Sequence, residues 1–476
     1  MKFSYSQVLL FCLAFFLYNP KVIAQETDHQ VEQFCHQELS QKIDDIIEEN
    51  AEGSRWGVMI QDSLDQSVLY RRNANQFFIL ASNLKLFTTA LALSQFPPDF
   101  QIKTPIFTQG QPPNLEQLRI IGKGDPSFNS YHLEQLAEQL SNQGVRSIAT
   151  LMLETGYFDT PAINSTWEWE DVYAAYGTAV NSLILDENAV TLTLRPQQVG
   201  EAVQADWDND IAASQWTLTG EAITAPKNTD YAVELNRELG TSQLNLSGTL
   251  PRDIQRDVWQ LAIPNPDYYF RDVLLTKLRE KGIQVNQVQF SASEVSPISG
   301  ELIMQFVSPP LEELIVEINR NSNNLYAEAL LKILIEEVGE DVIQEQLMQL
   351  GVLPDGYSLA DGSGLSRRNL ATPSAIAQLL QGMLNHQNAD TFQSSLALAG
   401  VNGTLENRFQ GTPLQGKIQG KTGTLTGISA LSGYVNSPQD QPLIFSILLN
   451  HSQRPPSEQR KMIDQIILLL SQLKDC

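Results

Sequence analysis

Ser82-Asn-Leu-Lys85 is the stretch of sequence that decides the fold and the chemistry to be expected of this chain. It follows the apolar run Phe77-Phe-Ile-Leu80 and begins a predicted helix with apolar residues along one side. Positions i and i+3 lie on one face of a helix, so the Lys85 amine can reach the Ser82 hydroxyl. The first helical turn also favours developing negative charge. The pair therefore predicts a nucleophile beside a base.

A Ser-x-x-Lys pattern is a weak signal when it stands alone. Ser471-Gln-Leu-Lys474 matches it too, and its place beside the chain end indicates a chance match. A lysine also serves as a base only if burial or a neighbouring cation lowers its pKa. The interpretation of Ser82 and Lys85 therefore depends on other motifs in the chain.

The triplet Ser322-Asn-Asn324 stands at the entry of a second predicted helix, which runs to Val338. A hydroxyl and an amide at that point can both face a cleft, although plain helix capping has the same appearance. Ser127-Phe-Asn129 is a further match to the pattern. The triplet therefore supports the Ser82 site only in combination with it.

Lys421-Thr-Gly-Thr424 lies on a predicted strand of residues 417–424. There Lys421 can add a cation, Thr422 can offer a hydroxyl to a carboxylate, and Gly423 lets a substrate backbone approach closely. The alternative is an ordinary edge strand with a solvated lysine.

These three motifs, in this order, resemble those of the penicillin-binding D,D-peptidases and the serine β-lactamases. The spacing of 240 positions from Ser82 to Ser322 is similar to that in class C low-molecular-mass penicillin-binding proteins. These are the D-alanyl-D-alanine carboxypeptidase/endopeptidases of the penicillin-binding protein 4 type. Further segments resemble that family: Ala81-Ser-Asn-Leu-Lys-Leu-Phe-Thr-Thr89, Gly122-Lys-Gly-Asp-Pro126, Asp361-Gly-Ser-Gly-Leu-Ser-Arg367, Gly400-Val-Asn-Gly-Thr-Leu405 and Gly420-Lys-Thr-Gly-Thr424.

The resemblance implies a mixed α/β (α+β) fold with a β-lactamase/transpeptidase-like domain, in which helices flank an antiparallel sheet. A large β-rich insertion of two domains would interrupt that domain. The sequence agrees, because short strand-like runs and turn residues fill the region from about Phe96 to Gly300. The expected parts are a catalytic domain at 25–95 and 300–476, a second domain at 96–190 and 264–299, and a nested β-rich third domain at 191–263.

The resemblance also implies a role for each catalytic residue. Ser82 would attack the carbonyl between two D-alanines, and Lys85 would take its proton. Ser322 would relay a proton to the leaving amine. The backbone N–H groups of Ser82 and Thr424 would form the oxyanion hole.

The substrate-binding roles follow from the same resemblance. Asn324 would hold the substrate amide, and Lys421 would contribute positive charge to the site. Thr422, Gly423 and Thr424 would contact the terminal carboxylate or the adjacent backbone of the substrate. The implied partners are peptidoglycan stem peptides that end in D-Ala-D-Ala, with β-lactam antibiotics as covalent inhibitors.

Two further residues stand at positions where members of the family contact the peptide substrate. Arg367 stands where the family places an arginine that contacts the stem peptide. Glu154 stands where relatives can carry an aspartate that faces the substrate's free amine. Glu154 is one methylene longer than that aspartate, so the match to the family position is inexact. The alternative is that Glu154 is a solvated surface residue.

The first 24 residues have the pattern of a secretory signal peptide. Lys2 is followed by an apolar run from Val8 to Tyr18 that is too short to span a bilayer, and Ala24 offers a cleavage site. A buried N-terminal helix is the alternative. The sequence therefore predicts an exported protein that is periplasmic or in the extracellular cell wall, without a stable membrane anchor.

The charge of the chain is strongly acidic, at −24. Such a surface repels nucleic acid and anionic lipid, so no nucleic-acid partner is expected. The sequence has no Cys-x-x-Cys or His-Glu-x-x-His pattern, and no metal or other cofactor is expected.

Two cysteines, Cys35 and Cys476, follow the predicted signal peptide. In the resembled fold the first and last helices lie side by side, so the two cysteines would form a disulfide that joins the chain ends. Two free thiols are the alternative.

Three other functions compete with a D,D-peptidase. A β-lactamase would need a dedicated deacylation base, which the sequence does not identify. A Ser-His-Asp hydrolase would carry a Gly-x-Ser-x-Gly elbow, and none is present. A non-catalytic wall-binding protein could keep the fold, but the three motifs are intact.

Overall fold

The computed structural model describes residues 33–50, 53–292, 300–436 and 442–474. Most of the α-helices that these residues form lie in the first and last thirds of the chain. The α-helices are α1 His36–Glu49, α2 Lys85–Gln95, α3 Ser130–Asn142, α4 Asp210–Ala213, α5 Pro266–Glu280, α6 Leu311–Asn319, α7 Asn324–Val338, α8 Asp341–Gln349, α9 Pro373–Leu384, α10 Ala389–Ser395 and α11 Pro456–Leu469.

The strands between residues 204 and 251 are short, whereas Lys103–Gln111, Ile428–Asn436 and Pro442–Asn450 have nine residues each. They are β1 Phe34–Cys35, β2 Arg55–Asp62, β3 Val68–Arg72, β4 Phe78–Ile79, β5 Lys103–Gln111, β6 Asn114–Ile121, β7 Ser147–Glu154, β8 Ala189–Arg195, β9 Gln204–Trp207, β10 Thr217–Gly220, β11 Ile223–Ala225, β12 Glu234–Arg237, β13 Gln243–Ser247, β14 Thr249–Pro251, β15 Asp257–Ala262, β16 Gln284–Ser291, β17 Glu301–Val307, β18 Tyr357–Ser358, β19 Leu370–Ala371, β20 Ala397–Leu398, β21 Ile418–Leu425, β22 Ile428–Asn436, β23 Pro442–Asn450 and β24 Leu473–Lys474.

The central sheet has six antiparallel strands in the order β20-β21-β22-β23-β2-β3. Two strands come from the beginning of the chain and four from its end. The adjacent β2 and β23 pair along their whole length, from Arg55 opposite Asn450 to Asp62 opposite Leu443. The predicted antiparallel sheet with flanking helices is confirmed.

Both faces of this sheet are buried, because successive residues of a strand point to opposite faces. In β23, Ile444 and Leu448 belong to the core that includes α2, α7 and α9. Phe445 and Ile447 belong to the core that includes α1 and α11. Each such side chain contributes about 1.5–3 kcal/mol when fully buried, which holds a helical layer on either side of the sheet.

A second sheet has five strands in the order β16-β7-β6-β5-β17. Strand β7 is parallel to both its neighbours, whereas β5 is antiparallel to β6 and β17. Helices α3 and α5 pack together in its core. Because β17 pairs with β5, this sheet continues to Val307, past the boundary expected at residue 300.

The region from Ala189 to Ala262 forms three small sheets, with the orders β15-β8-β9, β10-β13-β12 and β11-β14. Its apolar residues share one core with the second sheet. Among the described residues between 96 and 299, none lies in a strand of the central sheet. The central sheet is therefore built only from segments before and after this region.

The two ends of the described chain meet in a short parallel pairing of β1 with β24, in which Cys35 lies opposite Lys474. Cys35 directly precedes α1 and is disulfide-bonded. Cys476 lies outside the described residues, so its pairing with Cys35 stays a prediction.

The predicted signal peptide, residues 1–24, also lies outside the described residues. Within the part of the chain that the structure describes, no helix is both long and apolar enough to cross a bilayer. The expectation of export stays a prediction.

Candidate active site

Ser82 lies where a short 3₁₀ helix, Ala81–Leu84, leads into α2. Ala81 has a φ of 47°, in the left-handed region that residues with a β-carbon seldom adopt. Ala81, Asn83 and Leu84 are buried, whereas Ser82 stays partly accessible. The turn thus leaves the serine of this segment accessible from the cleft.

The Lys85 amine is fully buried and has three oxygen neighbours. Its Nζ lies 3.0 Å from Ser82 Oγ, 2.6 Å from Asn324 Oδ1 and 2.5 Å from the Ser363 carbonyl oxygen. The amide oxygen and the carbonyl oxygen can only accept hydrogen bonds. A neutral amine therefore donates its two N–H groups to them, which directs its lone pair at the Ser82 hydroxyl.

Burial lowers the pKa of Lys85 from 10.5 to about 7, although the Asp361 and Glu328 carboxylates oppose this shift. The physical reason is that an ammonium ion loses its hydration in the protein interior. A substantial fraction of Lys85 is therefore neutral near pH 7. That state is the one a general base requires.

A second lysine and serine face this pair from the other side. Lys421 on β21 donates hydrogen bonds to Ser322 Oγ across 2.8 Å and to the Thr422 carbonyl oxygen across 2.9 Å. Burial, with a smaller contribution from the Lys85 cation, lowers the pKa of Lys421 well below its ordinary value. Ser322 has a φ of 64°, which is a sparsely populated backbone conformation. The turn before α7 holds the residue in this conformation.

Asn324 is the first residue of α7 and links the two halves of the site. Its Oδ1 accepts from Lys85, and its Nδ2 donates across 2.8 Å to the carbonyl oxygen of Tyr176, in the inserted region. The neighbouring Asn323 caps α7 by accepting from Tyr326 N. The triplet thus combines helix capping with a contact to the Lys85 amine.

Strand β21 lies directly against the nucleophile segment. A β-carbon at Gly423 would lie 2.8 Å from the Leu80 carbonyl oxygen and 3.0 Å from Asn83 Nδ2. The close approach that requires glycine here is therefore to the protein's own backbone, where the sequence predicted an approach of substrate. Thr422 Oγ1 donates to Thr404 Oγ1 across 2.8 Å.

Along β21, pairing with β20 is confined to Gln419 and Gly420. From Lys421 onward, the described strands pair with β21 only on its β22 side. Its other edge offers backbone N–H and C=O groups to an extended peptide, the mode known as β-augmentation.

A cleft of about 910 Å³ opens over Ser82. Residues of the catalytic motifs, of the 361–367 loop and of the inserted region line it together. They include Ser82, Asn324, Arg367, Thr424, Glu168 and Tyr176.

Arg367 lines this cleft. Its Nε is 2.9 Å from Glu168 Oε1, and its Nη1 donates to the Thr426 carbonyl oxygen across 3.3 Å. These contacts hold the guanidinium between β21 and the inserted region. Its role toward a peptide stays a prediction.

Glu154 does not occupy the position expected of it. It ends β7, and its Oε1 lies 2.5 Å from Arg119 Nη2 on the neighbouring strand β6. The Arg119 and Glu154 side chains are only 2% and 3% exposed. Glu154 is therefore neither a solvated surface residue nor a residue lining the cleft over Ser82.

Two acidic residues that sequence reasoning missed line the cleft instead, Glu168 and Asp171. Their segment is tied to the 361–367 loop because Thr166 Oγ1 donates to Ser366 Oγ across 2.7 Å and Trp167 Nε1 to Asp361 Oδ2 across 2.9 Å. The run Trp167-Glu-Trp-Glu-Asp171 was the available signal. Its place over the cleft follows only from the tertiary structure.

The described residues contain no group of three or more His, Cys, Asp or Glu side chains arranged to hold a metal ion. The polar atoms at the centre of the site belong to serine, lysine and asparagine residues. Their arrangement suits acyl transfer by an activated serine.

The family model of the D-Ala-D-Ala carboxypeptidase 3 (S13) family matches residues 39–472. The chain belongs to this family. It is 31% identical over 443 residues to a D-alanyl-D-alanine carboxypeptidase of Actinomadura sp. (strain R39), covering 88% of this chain and 82% of the relative. It is 25% identical over 425 residues to D-alanyl-D-alanine carboxypeptidase DacB of Haemophilus influenzae, covering 86% of this chain and 88% of the relative.

A solved structure, penicillin binding protein 4 (dacB) from Haemophilus influenzae, superposes with a TM-score of 0.78 at 24% identity. The alignment covers 89% of this chain and 97% of that one. The predicted family, the fold class and the assignment to the serine hydrolases of the S13 family are confirmed.

Proposed function

We propose that this S13 protein is a serine-type D-Ala-D-Ala carboxypeptidase that acts on peptidoglycan stem peptides through an acyl-enzyme on Ser82. The observation that carries the proposal is the 3.0 Å separation of Lys85 Nζ from Ser82 Oγ, with the amine buried and its other two contacts made to acceptors. This geometry supports a neutral lysine as the base for the serine.

In acylation, Ser82 Oγ would attack the carbonyl carbon between the two D-alanines while its proton passes to Lys85 Nζ. The carbon–nitrogen bond then breaks, and the leaving D-alanine amine takes a proton from the Ser322 hydroxyl. Ser322 would regain a proton from the cationic lysines, of which Lys421 is in hydrogen-bond contact. Water would hydrolyse the resulting ester and free Ser82.

The oxyanion would be held by the backbone N–H groups of Ser82 and Thr424, which both line the cleft. The substrate would extend along the open edge of β21, so that its terminal carboxylate meets the hydroxyls of Thr422 and Thr424. Lys421 would add electrostatic attraction for that carboxylate in its protonated form. A β-lactam would occupy the same place and acylate Ser82.

The charges on the rim support a stem peptide with a free amine. Glu168 and Asp171 supply carboxylates on the inserted-region side, and Arg367 stands between them and β21. An ammonium group on the substrate would meet these carboxylates, which is the role that the sequence assigned to Glu154.

Endopeptidase cleavage of cross-linked peptides is a second candidate. The cleft continues past Thr424 to Gly427 and Arg454, and its volume of about 910 Å³ exceeds what a terminal D-Ala-D-Ala unit needs. That room supports entry of a branched peptide.

The proposed organisation keeps a catalytic domain on both sides of an inserted region, with the second boundary moved from 300 to the end of β17. An exported, periplasmic or cell-wall location fits this substrate and the predicted signal peptide. The predicted Cys35–Cys476 disulfide would also fit an oxidising compartment.

The test is covalent labelling with benzylpenicillin, followed by intact mass spectrometry and peptide mapping. The wild-type protein should gain one penicilloyl adduct on Ser82, and Ser82→Ala should gain none while remaining folded. Cross-linked and uncross-linked muropeptides would then be digested and their products weighed. Loss of a terminal D-alanine supports the proposal, and an adduct on Ser82→Ala at the wild-type rate would overturn it.

A further inference from the structure

Helix α7 carries two residues that act on the surroundings of Lys85. Asn324 and Glu328 are four positions apart, so they lie one above the other on one face. Asn324 contacts the Lys85 amine directly. Glu328 is only 4% exposed and contacts the loop that follows Asp361.

Glu328 contacts the loop through the loop's backbone N–H groups and also through the Ser363 side chain. Its Oε1 accepts from Gly362 N across 3.0 Å and from Ser363 N across 2.8 Å. The carbonyl of the same Ser363 residue lies 2.5 Å from Lys85 Nζ. Glu328 therefore holds the residue that provides one of the two acceptors for the neutral amine.

The same loop is held from the opposite side by α2. Thr88 Oγ1 donates to the Gly362 carbonyl oxygen across 2.7 Å. A β-carbon at Gly362 would lie 2.7 Å from the Ala327 carbonyl oxygen, and one at Gly364 would lie 1.9 Å from that of Ala81. The loop is thus packed against both helices with no room for side chains at its glycines.

We propose that Glu328 is a positioning residue: it fixes the Ser363 carbonyl that directs the Lys85 lone pair at Ser82, and its negative charge acts on the same amine. This inference rests on the proposed function of Ser82 and Lys85. It adds a residue that lies in none of the three sequence motifs.

The charged groups around Glu328 come from each neighbouring element. Asp361 lies on the loop, Lys85 on α2, Lys332 on α7 itself, and Lys421 on β21 beside Lys85. Burial, followed by the Asp361 carboxylate, raises the pKa of Glu328. The Glu328 carboxylate in turn raises the pKa of Lys85.

Removing the Glu328 charge should therefore make Lys85 easier to deprotonate. Since acylation needs neutral Lys85, the acid limb of the rate profile should move to lower pH. Glu328→Gln isolates this effect, because both backbone N–H groups bond to a single oxygen that glutamine retains. Glu328→Leu also removes that oxygen and leaves two buried N–H groups without an acceptor.

The experiment measures the second-order rate of benzylpenicillin acylation from pH 5 to 9 for the wild type, Glu328→Gln and Glu328→Leu. Glu337→Gln is the control, since it removes the same charge at an exposed position of α7. We expect Glu328→Gln to keep its maximal rate within about threefold while the midpoint of its pH profile moves to lower pH. Glu328→Leu should acylate about 100-fold more slowly, and the control should match the wild type.

An acid limb for Glu328→Gln that coincides with that of the wild type would overturn the inference, as would a wild-type rate for Glu328→Leu. Circular dichroism separates slow chemistry from unfolding. If Glu328→Leu does not fold, the pH profile of acylation for Glu328→Gln still tests the inference. A residue with a purely structural role would not change the pH at which the acylation rate falls. Absence of Ser82 labelling in the wild type would instead contradict the proposed function.

Discussion

Lys421 donates a hydrogen bond across 2.8 Å to the hydroxyl of Ser322, a residue 99 positions earlier in the chain. The Lys421 side chain is fully buried, so the bond is made away from bulk water. Ser82 and Lys85 form a similar pair on the other side of the site. The two serine–lysine pairs lie close enough for the Lys85 and Lys421 charges to interact.

Ser322→Ala tests the second pair. Without its hydroxyl the leaving amine loses its nearest proton donor, so hydrolysis of a D-Ala-D-Ala peptide should slow about 10²- to 10⁴-fold. Steady-state release of D-alanine measures this loss. Ser471→Ala, at the chance Ser-x-x-Lys match, is the control and should leave the rate unchanged; a normal rate for Ser322→Ala would contradict the proton relay.

The pH dependence of acylation tests Lys85. Its pKa is lowered to about 7, so the amine is mostly neutral above that pH and mostly an ammonium ion below it. The acylation rate should therefore fall about tenfold for each pH unit below about 7 and level off above it. Stopped-flow measurements with a fluorescent penicillin would show this limb, and a rate that stays constant down to pH 5 would argue against a lysine base.

The acidic rim is tested by Glu168→Gln combined with Asp171→Asn. Neutralising both carboxylates should raise KM for a stem peptide with a free amine about tenfold, because a charged hydrogen bond is worth about 1.5–3 kcal/mol. Acylation by benzylpenicillin, which has no amine, should stay close to the wild-type rate. The N-acetylated peptide is the matched substrate control. An equal rise in KM for this peptide would show that the two carboxylates do not recognise the free amine.

The Arg119–Glu154 pair is tested by stability. Arg119→Leu leaves a buried carboxylate without its cation, which should lower the free energy of unfolding by about 3–5 kcal/mol in urea titrations. Arg119→Leu with Glu154→Leu should recover much of that loss. Folded Glu154→Gln should still react normally with benzylpenicillin and with the amine-bearing peptide. A selective loss of activity on the peptide would instead indicate that Glu154 contacts the substrate.

The predicted Cys35–Cys476 disulfide is tested by counting thiols in the denatured, unreduced mature protein. No free thiol is expected, because the β1–β24 pairing brings Cys35 opposite Lys474. Closing so long a loop could stabilise the fold by up to about 5 kcal/mol in the chain-entropy model. Cys35→Ser should accordingly lower the melting temperature, and two free thiols in the wild type would end the idea.

Local patterns in the sequence, taken together with the resemblance to a family, were enough to propose Ser82, Lys85 and Lys421 as candidate catalytic groups. The spacing of Ser82 and Lys85 places both on one turn of a helix entry, and the alternation around Lys421 produces a strand. These relationships span at most a few residues, so backbone geometry alone determines them. The strands at 418–425, 428–436 and 442–450 were predictable for the same reason.

Only the tertiary structure decided what surrounds those groups. Glu328 lies outside every motif, and its contact with the Ser363 backbone depends on how α7 packs against a loop 35 residues away. Glu154 was assigned to the substrate by position, yet the alignment of β6 with β7 gives it Arg119 as a partner. The sequence by itself determined which side chains are the candidates for the chemistry, because the motifs that contain them are local. Packing decided their partners and the pKa of Lys85, because burial and long-range contacts have no signature in neighbouring residues.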